Sequence, residues 1–240
     1  MARFFLSPED LRGDRFFLRG EDLHHALRVL RLREKDSVVL LDGKGGSFFG
    51  HIEQIGKSEA SGILTGPAPS AGDLPITLAC ALLRGEKFDL VIQKSTELGV
   101  RRIQPIVTER CVSHGEKLSR WRRIAKEAAE QCERLFLPEI LPPVPLASLE
   151  FEKISLFCSE RGGEKLPASL AKIELKGFSG RILAVVGPEG GFTSSEAELL
   201  VSKGASPVSL GKRILRAETA AVAVMSMLLY RFLADDFNPA

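Results

Sequence analysis

From Ile76 onward the chain alternates short apolar runs with helix-length segments, and this rhythm restricts the possible folds more than any other feature. The expected strands are Ile76–Leu83, Ile103–Val107, Ile154–Cys158, Ile182–Val186 and Pro207–Leu210. Phe88–Leu98, Leu118 to about Leu135, Ser194–Ser202 and Ala217–Phe232 read as helices. The first strand, ITLACALL, is almost continuously apolar, as expected of a strand buried on both faces. Strands separated by helices of this length imply an α/β domain around a mostly parallel sheet.

The preceding third has a different rhythm. Arg3–Leu6, Arg15–Leu18, Ser37–Leu41, Ser47–Ile55 and Ser61–Thr65 read as strands, with one short helix over Glu21–Arg31 and a turn at Asp42-Gly43. Residues 66–72 (GPAPSAG) offer little to bury and form the best boundary in the chain. The expectation is a small β-rich domain over residues 1–70 and an α/β domain over residues 73–240.

Composition narrows the function classes only modestly. A 240-residue chain with 44% hydrophobic and 27% charged residues is an ordinary globular protein, large enough for a real core. The cysteines at 80, 111, 132 and 158 form no CxxC and have no nearby histidine pair, which suggests neither a disulfide framework nor a zinc site and suits a reducing cytoplasm. No apolar run approaches a membrane span, and MARFFLSPED is unlike a signal peptide. Net charge is only +2, weak for a nucleic-acid binder. Locally, however, Leu27–Lys35 carries Arg28, Arg31, Arg33 and Lys35 against Glu34 alone. Such a cluster binds phosphates or is simply a solvated face.

Two segments carry chemistry. In Val185–Thr193 (VVGPEGGFT) an apolar strand runs into glycines and then a helix start, with Thr193-x-x-Glu196 and Ser195-x-x-Glu198 both fitting a capping box. Glycines there let backbone approach a ligand at the sheet's carboxyl edge; a tight turn would need them equally. In Leu210–Thr219 (LGKRILRAET) a loop after a strand leads into an apolar helix. Here Glu218 could be no more than a cap favoured by the helix dipole, and Lys212 and Arg213 could be merely solvated. Phosphate-binding motifs are absent: Gly56-Lys57-Ser58 has His51 where a Walker A loop needs glycine, and Gly211-Lys212 has Ser206 there and is followed by Arg213. Glu189 would repel a polyphosphate, so the glycine loop suits a neutral or cationic ligand, such as a sulfonium.

GPEGGFTSSE followed by LGKRILRAETA resembles the paired cofactor loops of the bacterial small-subunit rRNA uridine-N3 methyltransferases of the SPOUT superfamily. RFF near the start, HHALRVLRLREKD, LLDGKGG, FDLVIQKSTELGVRRIQPIVTERCV and WRRIAKEAAEQCERLFLPEI are similar to the same family, and residues 141–180 carry no diagnostic motif. The resemblance implies a PUA-like RNA-binding β-barrel followed by a SPOUT-type α/β domain whose C-terminal part forms a trefoil knot. It also implies S-adenosyl-L-methionine as cofactor, 16S ribosomal RNA or the assembled small subunit as partner, and a cytoplasmic homodimer using no metal. The dimer would form through the last helix, leaving Leu228 and Leu229 exposed in an isolated monomer.

The cofactor residues implied are Ser159 and Glu160 after the strand ending at Cys158, then Gly187, Pro188, Glu189, Gly190 and Gly191, then Leu210, Gly211, Ile214, Leu215, Arg216, Ala217, Thr219 and Ala220. Arg3, Arg28, Arg31, Arg33, Lys44 and Arg110 are the RNA-facing candidates, and His24, His25, His51 and His114 are read as core or RNA-facing. Methylating a uracil N3 requires removing its proton and stabilising the resulting imide anion. Arg216 is the candidate anion stabiliser, with Glu218 and Glu189 rival candidates for the base. Two other readings stay open: a SPOUT enzyme acting on tRNA, and a non-catalytic RNA-binding ribosome-assembly factor.

Overall fold

The computed structural model describes residues 1–68, 74–111, 117–160, 162–173 and 180–234. The chain separates into two compact units, one of residues 1–72 with 129–137, the other of residues 73–128 and 138–239. The first unit therefore takes in a segment from far along the chain, which a cut at the Pro/Gly-rich stretch does not include.

In the first unit, β1 (Ala2–Phe5), β2 (Leu11–Arg12), β3 (Arg15–Arg19), β4 (Ser37–Leu41), β5 (Ser47–Ile55) and β6 (Glu59–Pro67) form one sheet in the order β1-β4-β5-β6-β3-β2. Among the described residues of this unit only the β1–β4 pair is parallel. The unbroken apolar run of β4 has a simple cause. Phe4, Val38 and Leu40 face a core with Phe16, Leu18 and Ile52, while Phe5, Val39 and Leu41 face a second cluster with Ala129 and Leu135. Successive side chains of a strand point to opposite faces, and here both faces are covered.

The helix expected over Glu21–Arg31 is shorter than its sequence suggests. Helix α1 covers only Gly20–His24 and passes into a π-helical turn, His25–Val29. There Leu30 N–H donates to the His25 carbonyl at 3.0 Å, and Arg31 then turns left-handed at φ 55°. Leu23 and Ala26 still reach the core, leaving Arg28, Arg31 and Arg33 exposed.

Among the described residues the second unit is built on eight strands, all parallel where paired: β7 (Ile76–Ala81), β8 (Arg102–Val107), β9 (Glu139–Ile140), β10 (Val144–Pro145), β11 (Ile154–Cys158), β12 (Glu164–Lys165), β13 (Ile182–Val186) and β14 (Ser206–Ser209). Their order is β10-β8-β7-β13-β11-β14-β12, with β9 also on β8. The central β7 and β13 are buried along their whole length, which explains their continuous apolar sequences. The helices are α2 (Lys87–Glu97), α3 (Leu118–Gln131), α4 (Leu166–Ala171), α5 (Ser194–Ser202) and α6 (Ala217–Ala234).

Two sequence expectations are corrected. Helix α3 stops at Gln131 rather than near Leu135, because Glu133 adopts φ 60° and the chain leaves the helix to place Leu135 in the first unit's core. Leu228 is not exposed in the single chain: it is wholly buried among the residues of the second unit's core, and Leu229 is half-buried against it. Among its described residues, the large apolar side chains that α6 does expose are Tyr230 and Leu233, at 74% and 64%. Among the described residues no helix is long and apolar enough to cross a membrane.

Candidate functional site

Five neighbouring strands of the parallel sheet, β8-β7-β13-β11-β14, end at one edge, and the segments beyond them line an open cavity of about 900 Å³. Side chains and backbone from Ser159-Glu160 after β11, Gly187–Ser194 after β13 and Leu210–Ala217 after β14 form most of its wall. The carboxyl edge of an open parallel sheet is where ligands bind in such folds, because the connecting loops diverge there.

The loop after β13 is firmly held. Of the two capping boxes its sequence allows, Thr193 with Glu196 is the one that forms: Glu196 N–H donates to Thr193 Oγ1 at 3.3 Å, and Glu196 Oε2 accepts from Thr193 N–H at 2.9 Å. The other carboxylate oxygen of Glu196 accepts from Glu109 N–H at 2.7 Å, beyond the end of β8. Gly191 adopts φ 68°, a left-handed conformation that a side chain would strain, and its N–H closes a turn onto the Pro188 carbonyl at 2.9 Å. Glu189 Oε1 accepts from Lys87 Nζ at 2.9 Å and from Arg84 N–H at 3.2 Å. Arg110 Nη1 donates to the Gly190 carbonyl at 2.8 Å.

These contacts set the protonation of Glu189. Partial desolvation pushes its acidity down, but the Lys87 hydrogen bond, backbone N–H donors of Glu189 and Arg84, and the Lys87 charge outweigh it and hold the pKa below the ordinary carboxylate value. Glu189 is thus a weak base at neutral pH. Cys158 also lines the cavity, and burial pushes its thiol up to about 12, so it supplies no thiolate nucleophile.

The loop after β14 is held more loosely. Gly211 N–H donates to Ser209 Oγ at 3.3 Å, and that hydroxyl donates back to the Gly211 carbonyl at 3.1 Å. Ile214 is 72% exposed although it lines the cavity, an apolar side chain awaiting cover. Arg216 lines the cavity too and is exposed. Ala217 and Ala220, in the first turns of α6, bring buried small side chains to the wall. Glu218 is not among the residues that line the cavity: it is 9% exposed, and its Oε2 is buried with no hydrogen-bond partner among the described residues.

A family model described as the RNA methyltransferase domain matches residues 70–229, and one described as the RNA methyltransferase PUA domain matches residues 18–65. The chain is 36% identical over 233 residues to the ribosomal RNA small subunit methyltransferase E of Synechocystis, covering 94% of this chain and 76% of that one. This chain belongs to the ribosomal RNA small subunit methyltransferase E family. The crystal structure of a ribosomal RNA small subunit methyltransferase E from Neisseria gonorrhoeae bound to S-adenosyl methionine matches with a TM-score of 0.85 and 35% identity, over 96% of this chain and 97% of that one. A Legionella pneumophila methyltransferase solved with its bound cofactor SAM matches with a TM-score of 0.85 and 30% identity, over 95% and 97% of the two chains.

In this member of the methyltransferase E family, fourteen of the fifteen residues expected to hold a cofactor line the one cavity; Thr219 is exposed and off it. Sequence reasoning missed Lys87, Phe157 and Phe192, which also line it, and left Arg213, another lining residue, open as a solvated side chain. Phe157 and Phe192 meet edge to face at 6.1 Å and form an aromatic wall. Lys87 had a signal in principle, since it begins the helix after β7, the strand beside β13. Of the RNA-facing candidates, Arg28, Arg31, Arg33 and Lys44 are exposed. Arg3 is engaged with Glu133 at 2.8 Å, and Arg110 is at the cavity. His24 and His25 are exposed and His51 half-buried; His114 lies outside the described residues.

Proposed function

We propose that this chain transfers the methyl group of S-adenosyl-L-methionine to N3 of a uridine in 16S ribosomal RNA of the small subunit. The observation that carries the reading is the single cavity shared by the loops after β11, β13 and β14, in a family whose Neisseria gonorrhoeae member was crystallised bound to S-adenosyl methionine. The cavity's chemistry fits this cofactor. Leu210, Ile214, Leu215 and Phe192 offer apolar cover for an adenine, and the glycine loop offers backbone groups with little side-chain bulk. Glu160 is a lining carboxylate suited to face a cationic group, whereas Glu189 is already paired with Lys87.

The cofactor supplies an electrophilic methyl group; the protein must supply alignment and charge stabilisation. In our reading, Arg216 donates from its guanidinium to a uracil carbonyl oxygen as negative charge develops on the imide. The N3 proton must leave first. Glu189, ion-paired and of lowered pKa, is poorly suited to take it, and Glu218 is buried off the cavity wall. Solvent is therefore the acceptor this geometry favours, and a Glu218→Gln variant tests the carboxylate as the rival base. The exposed Arg28, Arg31, Arg33 and Lys44 of the first unit are assigned to RNA phosphates.

The same reading includes a PUA-like barrel over about residues 1–70, a trefoil knot in the C-terminal part of residues 73–240, cytoplasmic action and a homodimer through α6. The placement of β11 between β13 and β14 supports the knot, and the exposure of Tyr230 and Leu233 supports the dimer. Light scattering should then give about twice the 26.2 kDa chain mass. The decisive test of the function is mass-spectrometric mapping of rRNA from cells with and without the gene. Loss of one N3-methyluridine from 16S rRNA is expected. An unchanged 16S map with a methyl group missing from tRNA would replace the substrate.

A further inference from the structure

We infer that Arg110 couples the two substrates, holding the cofactor loop with one edge of its guanidinium and a phosphate of the RNA with the other. This rests on the reading of the chain as a methyltransferase acting on ribosomal RNA. The first edge is in place: Nη1 donates to the Gly190 carbonyl at 2.8 Å. The side chain also lies flat on that residue, because a Cβ added to Gly190 would sit 3.3 Å from both Cβ and Cδ of Arg110. The turn that carries Arg110 is bonded to the same loop a second time, through Glu109 N–H and the Glu196 carboxylate at 2.7 Å. A displacement of the guanidinium therefore reaches Gly190 directly, with no intervening side chain.

The second edge is available. Arg110 is exposed, lines the cavity and, among the described residues, has no carboxylate partner. Lys87, the other cation bonded to this loop, is neutralised by Glu189. An arginine has five N–H donors in a fixed fork, so it can serve a carbonyl and a phosphate at once. A cationic cofactor gains nothing from a further positive charge beside it, which leaves the polyanionic substrate as the natural partner of the free edge.

Coupling of this kind must be reciprocal. Sinefungin, an amine analogue that transfers no methyl group, and unmethylated small ribosomal subunits are the probes, used with the full chain. Subunits should tighten sinefungin binding by about five-fold or more, and sinefungin should tighten subunit binding by the same factor. In Arg110→Ala that factor should fall to near one, and the salt slope of subunit binding should flatten by roughly 0.7 to 0.9 for the one phosphate left without its cation. Arg110→Lys should keep the salt slope, because it keeps the charge, and still lose the coupling, because one ammonium cannot span both partners. Lys87→Met loosens the same loop from its other side; it should weaken sinefungin yet leave the coupling factor intact.

If Arg110→Ala weakens sinefungin as Lys87→Met does and the coupling survives, Arg110 is only a structural clamp and the inference is overturned. It is overturned as well if the wild type shows no coupling. A wild type that binds no sinefungin, or leaves the subunits unmethylated with S-adenosylmethionine, would sink the functional reading itself, a different result.

Discussion

The two glycine-bearing loops that line the cavity are built to different standards. The one after β13 is tied by a capping box, by Lys87 and Arg84 on Glu189, and by Arg110 on Gly190. The one after β14 has the small Ser209–Gly211 exchange, and Gly211 through Ile214 are exposed. The first is preorganised and the second can adapt. A preorganised loop loses little freedom when a ligand binds, whereas the loose loop must be ordered by it. If Arg216 acts as proposed, the charge it carries lies on the loose side and reaches its working position only once that loop is ordered.

The largest effect expected from this difference falls on Arg216. If it stabilises the imide anion, Arg216→Ala should slow single-turnover methylation by about two to three orders of magnitude while cofactor binding stays near normal. Arg216→Lys should recover only part, since the planar fork is lost. A variant with normal rate would move anion stabilisation to backbone donors. A variant that loses cofactor affinity instead would place Arg216 in the cofactor site and make the loose loop a binding element. In the wild type the rate should rise with pH as the N3 proton leaves, and Glu218→Gln shows whether that dependence runs through the buried carboxylate.

Why one loop was readable and the other only half so follows from the same contrast. VVGPEGGFT announces itself, because a capping box and a positive-φ glycine are local devices whose signature lies within a few residues. What fixes that loop in space comes from 80 to 105 residues away, in Arg110, Arg84 and Lys87. Spacing in a sequence carries no trace of such contacts. The same reason hid the second core cluster of the first unit, where Leu135 and Ala129 cover the outer face of β1 and β4. β7, β13 and the parallel α/β pattern were legible, since burial on both faces leaves a continuous apolar run. The π-helical turn was not, because its sequence has ordinary helical periodicity and its break comes from Arg31 at φ 55°.

A smaller effect, confined to RNA, is expected from the first unit. Replacing Arg28, Arg31 and Arg33 with neutral residues should weaken binding to small-subunit rRNA and flatten its salt dependence by roughly 0.7 to 0.9 for each phosphate left without its cation. Cofactor affinity should not move, because neither cavity loop is touched. An unchanged salt slope would make the exposed cluster a solvated face.

Smaller again is the effect of the carboxylate that tightens the first loop. Glu189→Gln keeps a hydrogen-bond acceptor but loses the ion pair, whose exposure limits it to about 1 kcal/mol, or roughly five-fold in cofactor affinity. The pH dependence has a definite sign. The folded pKa of Glu189 lies below the ordinary 4.5, so its contribution is complete above that value and fades only as the pH falls through the lower one. Wild-type affinity should therefore be level from neutral pH down to mild acidity and drop below it, and the drop should vanish in Glu189→Gln.

The sharpest test of the contrast is an effect no larger than that one, through two hydroxyls that each hold one loop. Thr193→Ala removes the acceptor for Glu196 N–H and should lower global stability by about 1 kcal/mol, the usual cost of losing a helix N-cap. In a chain of this size that is a fall of roughly 2 to 4 °C in Tm, and Thr193→Ser should restore it. Glu196 still holds Glu109 N–H in the variant, so the loop keeps an anchor and cofactor affinity should change less than stability. Ser209→Ala removes the exchange with Gly211, and here the order should reverse: an exposed loop contributes little to Tm, but cofactor must now order a freer chain. Calorimetric Tm and sinefungin affinity for the two variants separate the cases. If Thr193→Ala costs affinity without stability, or Ser209→Ala costs stability without affinity, the first loop is not the rigid side and the division of labour between the loops fails.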